Sequence, residues 1–152
     1  MSWFYFMASD SKLEDYDNGM VKITKTKNSM ILVGKNGFER KSIHIFDCKA
    51  REESDKYFTK KKFIKHLEFY YSEESANVIL AYLKKEMRKS KQIELWRVWE
   101  SDKMIPEKRK VKVDELKLSD IDSIWGDDGY DNDCLVITQS YTYKVENIVT
   151  DE

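Results

Sequence analysis

The chain has 152 residues and sets 27 Lys and Arg against 28 Asp and Glu, a net charge of −1. That length carries one domain with a core of its own, and 41% hydrophobic with 13% aromatic content excludes a disordered chain. One proline and five glycines leave no room for a long flexible linker. No apolar run approaches the ~20 residues of a transmembrane helix.

The opening MSWFYFMASD is too short and too poor in basic residues for a signal peptide, so the expected address is the cytoplasm. Trp3 to Ala8 is an aromatic run that predicts a buried first strand. Ser9 to Gly19 is polar and ends in the turn signal Asn18-Gly19. Val21 to Thr24 alternates like a strand, and Met30 to Val33 is a second short apolar run. Asn36-Gly37 then separates that run from Phe38 to Phe46, which predicts a hairpin. Lys49 to Lys56 reads as a charged loop or one short helical turn.

Phe63 to Trp99 holds the clearest periodicity and reads as strand, helix, strand. Ser72 suits an N-cap, Glu73 and Glu74 the positive end of a helix, and Lys84, Lys85, Arg88 and Lys89 the negative end. Ala76, Ile79, Leu80, Leu83 and Met87 repeat at the spacing of a core-facing stripe. They define a long amphipathic helix over about 73–89. Ile93 to Trp99 is apolar on both faces, as an interior strand is. Phe63 to Tyr71 fits a strand or a helix; its aromatic density and the cap at Ser72 favour the strand. Short loops around one helix would make the two strands parallel, with a right-handed crossover.

After Trp99 come a turn-rich stretch with Pro106, a strand beginning at Val111, and a short helix over Leu118 to Gly126. That helix is expected to be capped by Ser119 and stopped by Gly126. Asp127 to Asp133 is a loop, and Cys134 to Tyr143 a closing strand. The expected fold is a single α+β domain over residues 1–152, mostly antiparallel.

Chemical signatures are few. Cys48 and Cys134 form no CxxC pair and read as reduced thiols. His44 and His66 sit in alternating strand patterns without ligands at metal spacing. Cys48 and His44 as a nucleophilic pair would stand about 13 Å apart on one extended strand. The acidic loop of Asp127, Asp128, Asp131 and Asp133 lacks EF-hand spacing. No phosphate-cradling glycine loop and no GxSxG occurs. Nothing here calls for a cofactor or a metal, and an enzyme site built from scattered acids is the least specific reading.

Charge layout says more. Residues 56–112 hold 16 basic and 8 acidic side chains, whereas residues 113–152 hold 2 and 11. Packing of the two segments against each other would neutralise part of this. The favoured functional reading is a binding module with an acidic face made by Asp120, Asp122, Asp127, Asp128, Asp131 and Asp133. Trp125 and Tyr130 would be its exposed anchors, with Tyr141 and Tyr143 as further aromatics. Its partner would be a basic protein, as for immunity proteins or inhibitors that neutralise a nuclease toxin. The alternative is a nucleic-acid face running from Lys60, Lys61, Lys62 and Lys65 to Lys84, Lys85, Arg88 and Lys89. Phe58, Tyr70 and Tyr71 would stack bases there. A pI of about 6.2 weighs against it.

Overall fold

The structure, a computed structural model, describes residues 3–18, 21–25, 30–34, 42–126 and 131–140. The elements begin with β1 (Trp3–Ser9), β2 (Tyr16–Asp17), β3 (Val21–Lys25), β4 (Met30–Gly34) and β5 (Ile43–Phe46). Then come α1 (Lys49–Lys56), β6 (Phe63–Phe69), α2 (Glu73–Glu86) and β7 (Gln92–Trp99). The chain continues through β8 (Lys108–Lys112), a 3-10 turn (Val113–Glu115), α3 (Leu118–Trp125) and β9 (Asp133–Thr138). One seven-stranded sheet runs β2-β5-β6-β1-β7-β9-β8, and β3 and β4 pair separately. The fold is α+β and mostly antiparallel.

β1 takes the middle of the sheet because its side chains are apolar on both sides. Alternate residues of a strand face opposite layers, and Phe6, Met7 and Ala8 are all fully buried. On one face Met7, Leu67, Ile93, Leu95 and Ile137 meet Ala76, Ile79 and Leu83 of α2 and Ile121 and Ile124 of α3. On the other, Phe6, Trp96, Val98, Cys134 and Val136 meet Phe58, which follows α1. Trp96 stacks on Phe6 with ring centroids 5.7 Å apart.

α2 starts where its sequence says it should. The Ser72 hydroxyl accepts the Ser75 N–H at 3.1 Å, and the Ser75 hydroxyl accepts the Ser72 N–H at 2.8 Å. The helix ends at Glu86 with Met87 as its C-cap, and the stripe reaches the core as the spacing requires.

Three expectations need correction. β6 and β7 run in the same direction but are not neighbours, because β1 is inserted antiparallel to each of them. An N-terminal strand apolar on both faces buries more surface there than at an edge. The adjacent parallel pair is instead β8 with β9, linked through α3. Secondly, residues 35–41 and their Asn-Gly turn lie outside the described residues, and the strands around them pair otherwise. β4 pairs with β3, while β5 pairs with β2 and β6, which buries Ile43, Ile45 and Phe46. Thirdly, α3 begins after Lys117, whose N–H donates to the Asp120 carboxylate at 2.9 Å, so Ser119 is not its cap. Gly126 does close it: a Cβ there would lie 2.5 Å from the Asp122 carbonyl oxygen.

Candidate functional site: an aromatic cleft with an acidic rim

Antiparallel pairing brings the start of β1 beside the ends of β6 and β7. Tyr5 stands opposite Leu67 on one side and Arg97 on the other, and Trp3 stands opposite Trp99. The aromatic residues at these strand ends therefore gather, although they are far apart in sequence. Trp3, Tyr5, Phe69, Tyr70 and Tyr71 wall a cleft of about 520 Å³, with Trp125 and Arg97 deeper in it. Tyr5 lies edge-on to Trp125 at 6.4 Å, and Phe69 to Trp125 at 5.6 Å. Burial raises the pKa of the Tyr5 phenol, with Arg97 opposing the shift and Glu68 adding to it. Tyr70 is half exposed, at 54%.

Arg97 is 5% exposed and its guanidinium is held by backbone carbonyls. It donates to the Ile124 carbonyl at 2.9 Å and to the Asp131 carbonyl at 2.9 and 3.3 Å. Three of its five N–H donors are directed at backbone carbonyls, which fixes the guanidinium in place.

The acidic residues singled out from the sequence have distinct fates. Asp122 is exposed, and its carboxylate accepts the Tyr71 hydroxyl at 2.9 Å, which puts it on the rim of the cleft. Asp131 is also exposed beside Arg97. Asp120 caps α3. Asp133 pairs with Arg109 at 3.0 Å and accepts the Cys134 N–H at 2.8 Å. Asp127, Asp128, Tyr130, Tyr141 and Tyr143 lie outside the described residues. Trp125 is a correction: it is 1% exposed, and its indole N–H donates to the Trp96 carbonyl at 3.3 Å. On an amphipathic helix of eight residues the largest apolar side chain goes to the core.

The lysine face is interrupted by acids from the N-terminal loop. Lys61 pairs with Asp10 at 3.0 Å, and Lys85 with Glu14 at 3.0 Å. Lys89 meets Glu14 at 3.9 Å and Glu86 at 3.4 Å. Lys65 is buried between Asp15 and Asp47; burial opposes its charge, but the two carboxylates together raise its pKa. Phe58 is 8% exposed and packed in the core. Tyr70 and Tyr71 follow the far end of β6, about 20 Å from its lysine-rich start. The lysines and the stacking rings are not brought together.

Trp3 and Tyr5 were legible only as a buried strand, and Tyr70 and Tyr71 only as partners of the lysines. The signal that joins them is register, which no single segment contains. No helix among the described residues is long and apolar enough to cross a membrane. Among those residues no three His, Cys, Asp or Glu side chains group as metal ligands. No family model matches the chain, and neither a curated protein nor a solved structure is significantly similar to it.

Proposed function

We propose that the protein is a binding module that captures a basic protein at the aromatic end of its sheet. The observation carrying this reading is the cleft of Trp3, Tyr5, Tyr70 and Tyr71 with Asp122 hydrogen-bonded to its wall. A lysine or arginine entering such a cleft gains from ring faces and from carboxylates at once. Arg97 is 5% exposed and directs three of its N–H groups at carbonyls, which limits what it offers an anion. Acidic charge would speed encounter with a basic surface, and the rings would supply the anchoring contacts. An immunity-type protein or inhibitor covering a basic nuclease fits these properties.

The test is affinity capture from a lysate of the source organism with nuclease present, followed by titration of the purified captured protein. The expected result is one basic protein bound by the wild type and lost from the variant Tyr70→Ala/Asp122→Lys/Asp131→Lys. Undiminished binding by that variant would overturn the choice of face. Capture that vanishes on nuclease treatment would overturn the partner class and favour nucleic acid.

A further inference from the structure

β8 is the outermost strand of the sheet and pairs with β9 alone, so among the described residues no strand covers its other side. Alternate N–H and C=O groups of such an edge point outward and can pair with another extended chain. Alternation also sorts the β8 side chains between two layers. Arg109 reaches Ser123 of α3 at 3.2 Å and Asp133 at 3.0 Å, and Val111 packs against the core on that side. Lys108, Lys110 and Lys112 take the opposite face. Lys108 is paired there with Glu94 at 3.3 Å, over the Trp96 ring. Lys110 and Lys112 are exposed, and no ion pair joins either to an acid among the described residues.

The chain leading into β8 adds apolar surface. Met104 is 70% and Ile105 53% exposed. With Tyr57 at 50%, they are three of the four large hydrophobic side chains exposed among the described residues. The Tyr57 hydroxyl donates to the Lys103 carbonyl at 3.3 Å, and Lys103 Nζ lies 5.0 Å from the Tyr57 ring centroid. The Met104 N–H donates to the Asp102 carboxylate, and its carbonyl accepts a side-chain N–H of the buried Asn132, both at 2.9 Å. The backbone is therefore pinned on both sides of Met104 while the side chain stays in water. An apolar patch presented by a fixed backbone marks an interaction site.

From the open edge, the unpaired lysines and this patch, we infer that β8 takes an extended acidic segment of another protein, which adds to the sheet as a further strand. The backbone of that segment pairs with the outward groups of β8, and carboxylates at every second position lie beside Lys110 and Lys112. An apolar residue at its end covers Ile105 and Met104, since only Pro106 and Glu107 separate them from the strand. Charge selects this occupant. A second copy of the chain would set lysines against lysines, and edge lysines likewise discourage neutral strands. The aromatic cleft lies at the ends of β1, β6 and β7, so this surface is separate from the one proposed to capture a basic protein.

The test titrates the full chain into fluorescein-labelled peptides of about eight residues, the length of a long strand. One peptide alternates Glu with Val or Thr and ends in Leu-Ile; the other has the same composition with its Glu residues contiguous. Fluorescence anisotropy should show the alternating peptide bound at least about tenfold more tightly. N-methylation of alternate amides should abolish binding in one phase of the alternation and spare it in the other, because only one set of N–H groups faces β8. Lys110→Glu/Lys112→Glu should weaken binding at least about tenfold, and Met104→Ser/Ile105→Ser about fivefold. All four side chains are exposed, so both variants should keep the wild-type circular dichroism. No binding of the alternating peptide, or equal affinity for the two peptides, would overturn the inference. So would equal effects of the two methylation phases, undiminished binding by Lys110→Glu/Lys112→Glu, or equally tight binding of a single-stranded oligonucleotide.

Discussion

The Tyr71 hydroxyl donates to Asp122 Oδ1 at 2.9 Å across 51 residues of sequence. This bond ties the end of β6 to the outer face of α3. It also sets one carboxylate of the acidic segment against the aromatic cleft. The bond is exposed, so its contribution to stability is small, while its effect on what the cleft presents to a partner is direct.

Tyr70 and Trp125 should separate binding from folding. Tyr70 is 54% exposed and Trp125 1%. Tyr70→Ala should leave the urea midpoint nearly unchanged and weaken capture of the basic partner by about 2 kcal/mol, roughly 30-fold in Kd. A wild-type Kd in this variant would remove Tyr70 from the interface.

Trp125→Ala should instead destabilise the fold by about 3–5 kcal/mol, through loss of buried area and a cavity among Tyr5, Phe69 and the sheet. Urea denaturation monitored by circular dichroism measures this. A loss below about 1 kcal/mol would contradict the packing described.

His44 predicts an acid-side loss of stability. It is 1% exposed, and neither ring nitrogen makes a hydrogen bond among the described residues, although Nδ1 lies 3.4 Å from Asp17. Burial lowers its pKa below the usual 6.5, and the Asp17 carboxylate offsets part of that shift. The unfolded chain therefore binds more protons in the window between the lowered value and 6.5. Stability is intact above that window and falls as the pH drops through it. Urea midpoints measured from about pH 7 to about pH 5 should decline less in His44→Phe than in the wild type. Equal slopes would assign the decline to other groups.

Ser72→Ala should cost about 1 kcal/mol, because it leaves the Ser75 N–H without its acceptor at the start of α2. Ser72→Asp should recover most of that loss, since a carboxylate caps as well and favours the positive helix end. Thermal melts of the two variants side by side give the comparison.

Short-range pattern made much of the fold legible. The stripe from Ala76 to Met87, the serine at the cap and the apolar run from Trp3 each depend on neighbours within a few residues. The same holds for β7, whose two apolar faces announce an interior strand. The start of α3 was less legible: Ser119 is a competent cap by type, yet the N-cap is Lys117, whose N–H is accepted by the Asp120 carboxylate at the third helical position.

What the sequence by itself determined is the α+β class, the helix α2 with its flanking strands, and the strongly uneven distribution of charge along the chain; β2 and the full length of α1 were not among its readings. Tertiary structure alone decided how that charge is used. Asp10, Glu14 and Asp15 arrive from the N-terminal loop to pair with Lys61, Lys85 and Lys65, so part of a basic face in sequence is ion-paired in space. Insertion of β1 between β6 and β7 created the aromatic cleft, and the docking of α1 on the far face brought Asp55 to His66. These outcomes depend on contacts between residues tens of positions apart. Burial of apolar surface over the whole sheet selects such contacts, and no local spacing encodes them.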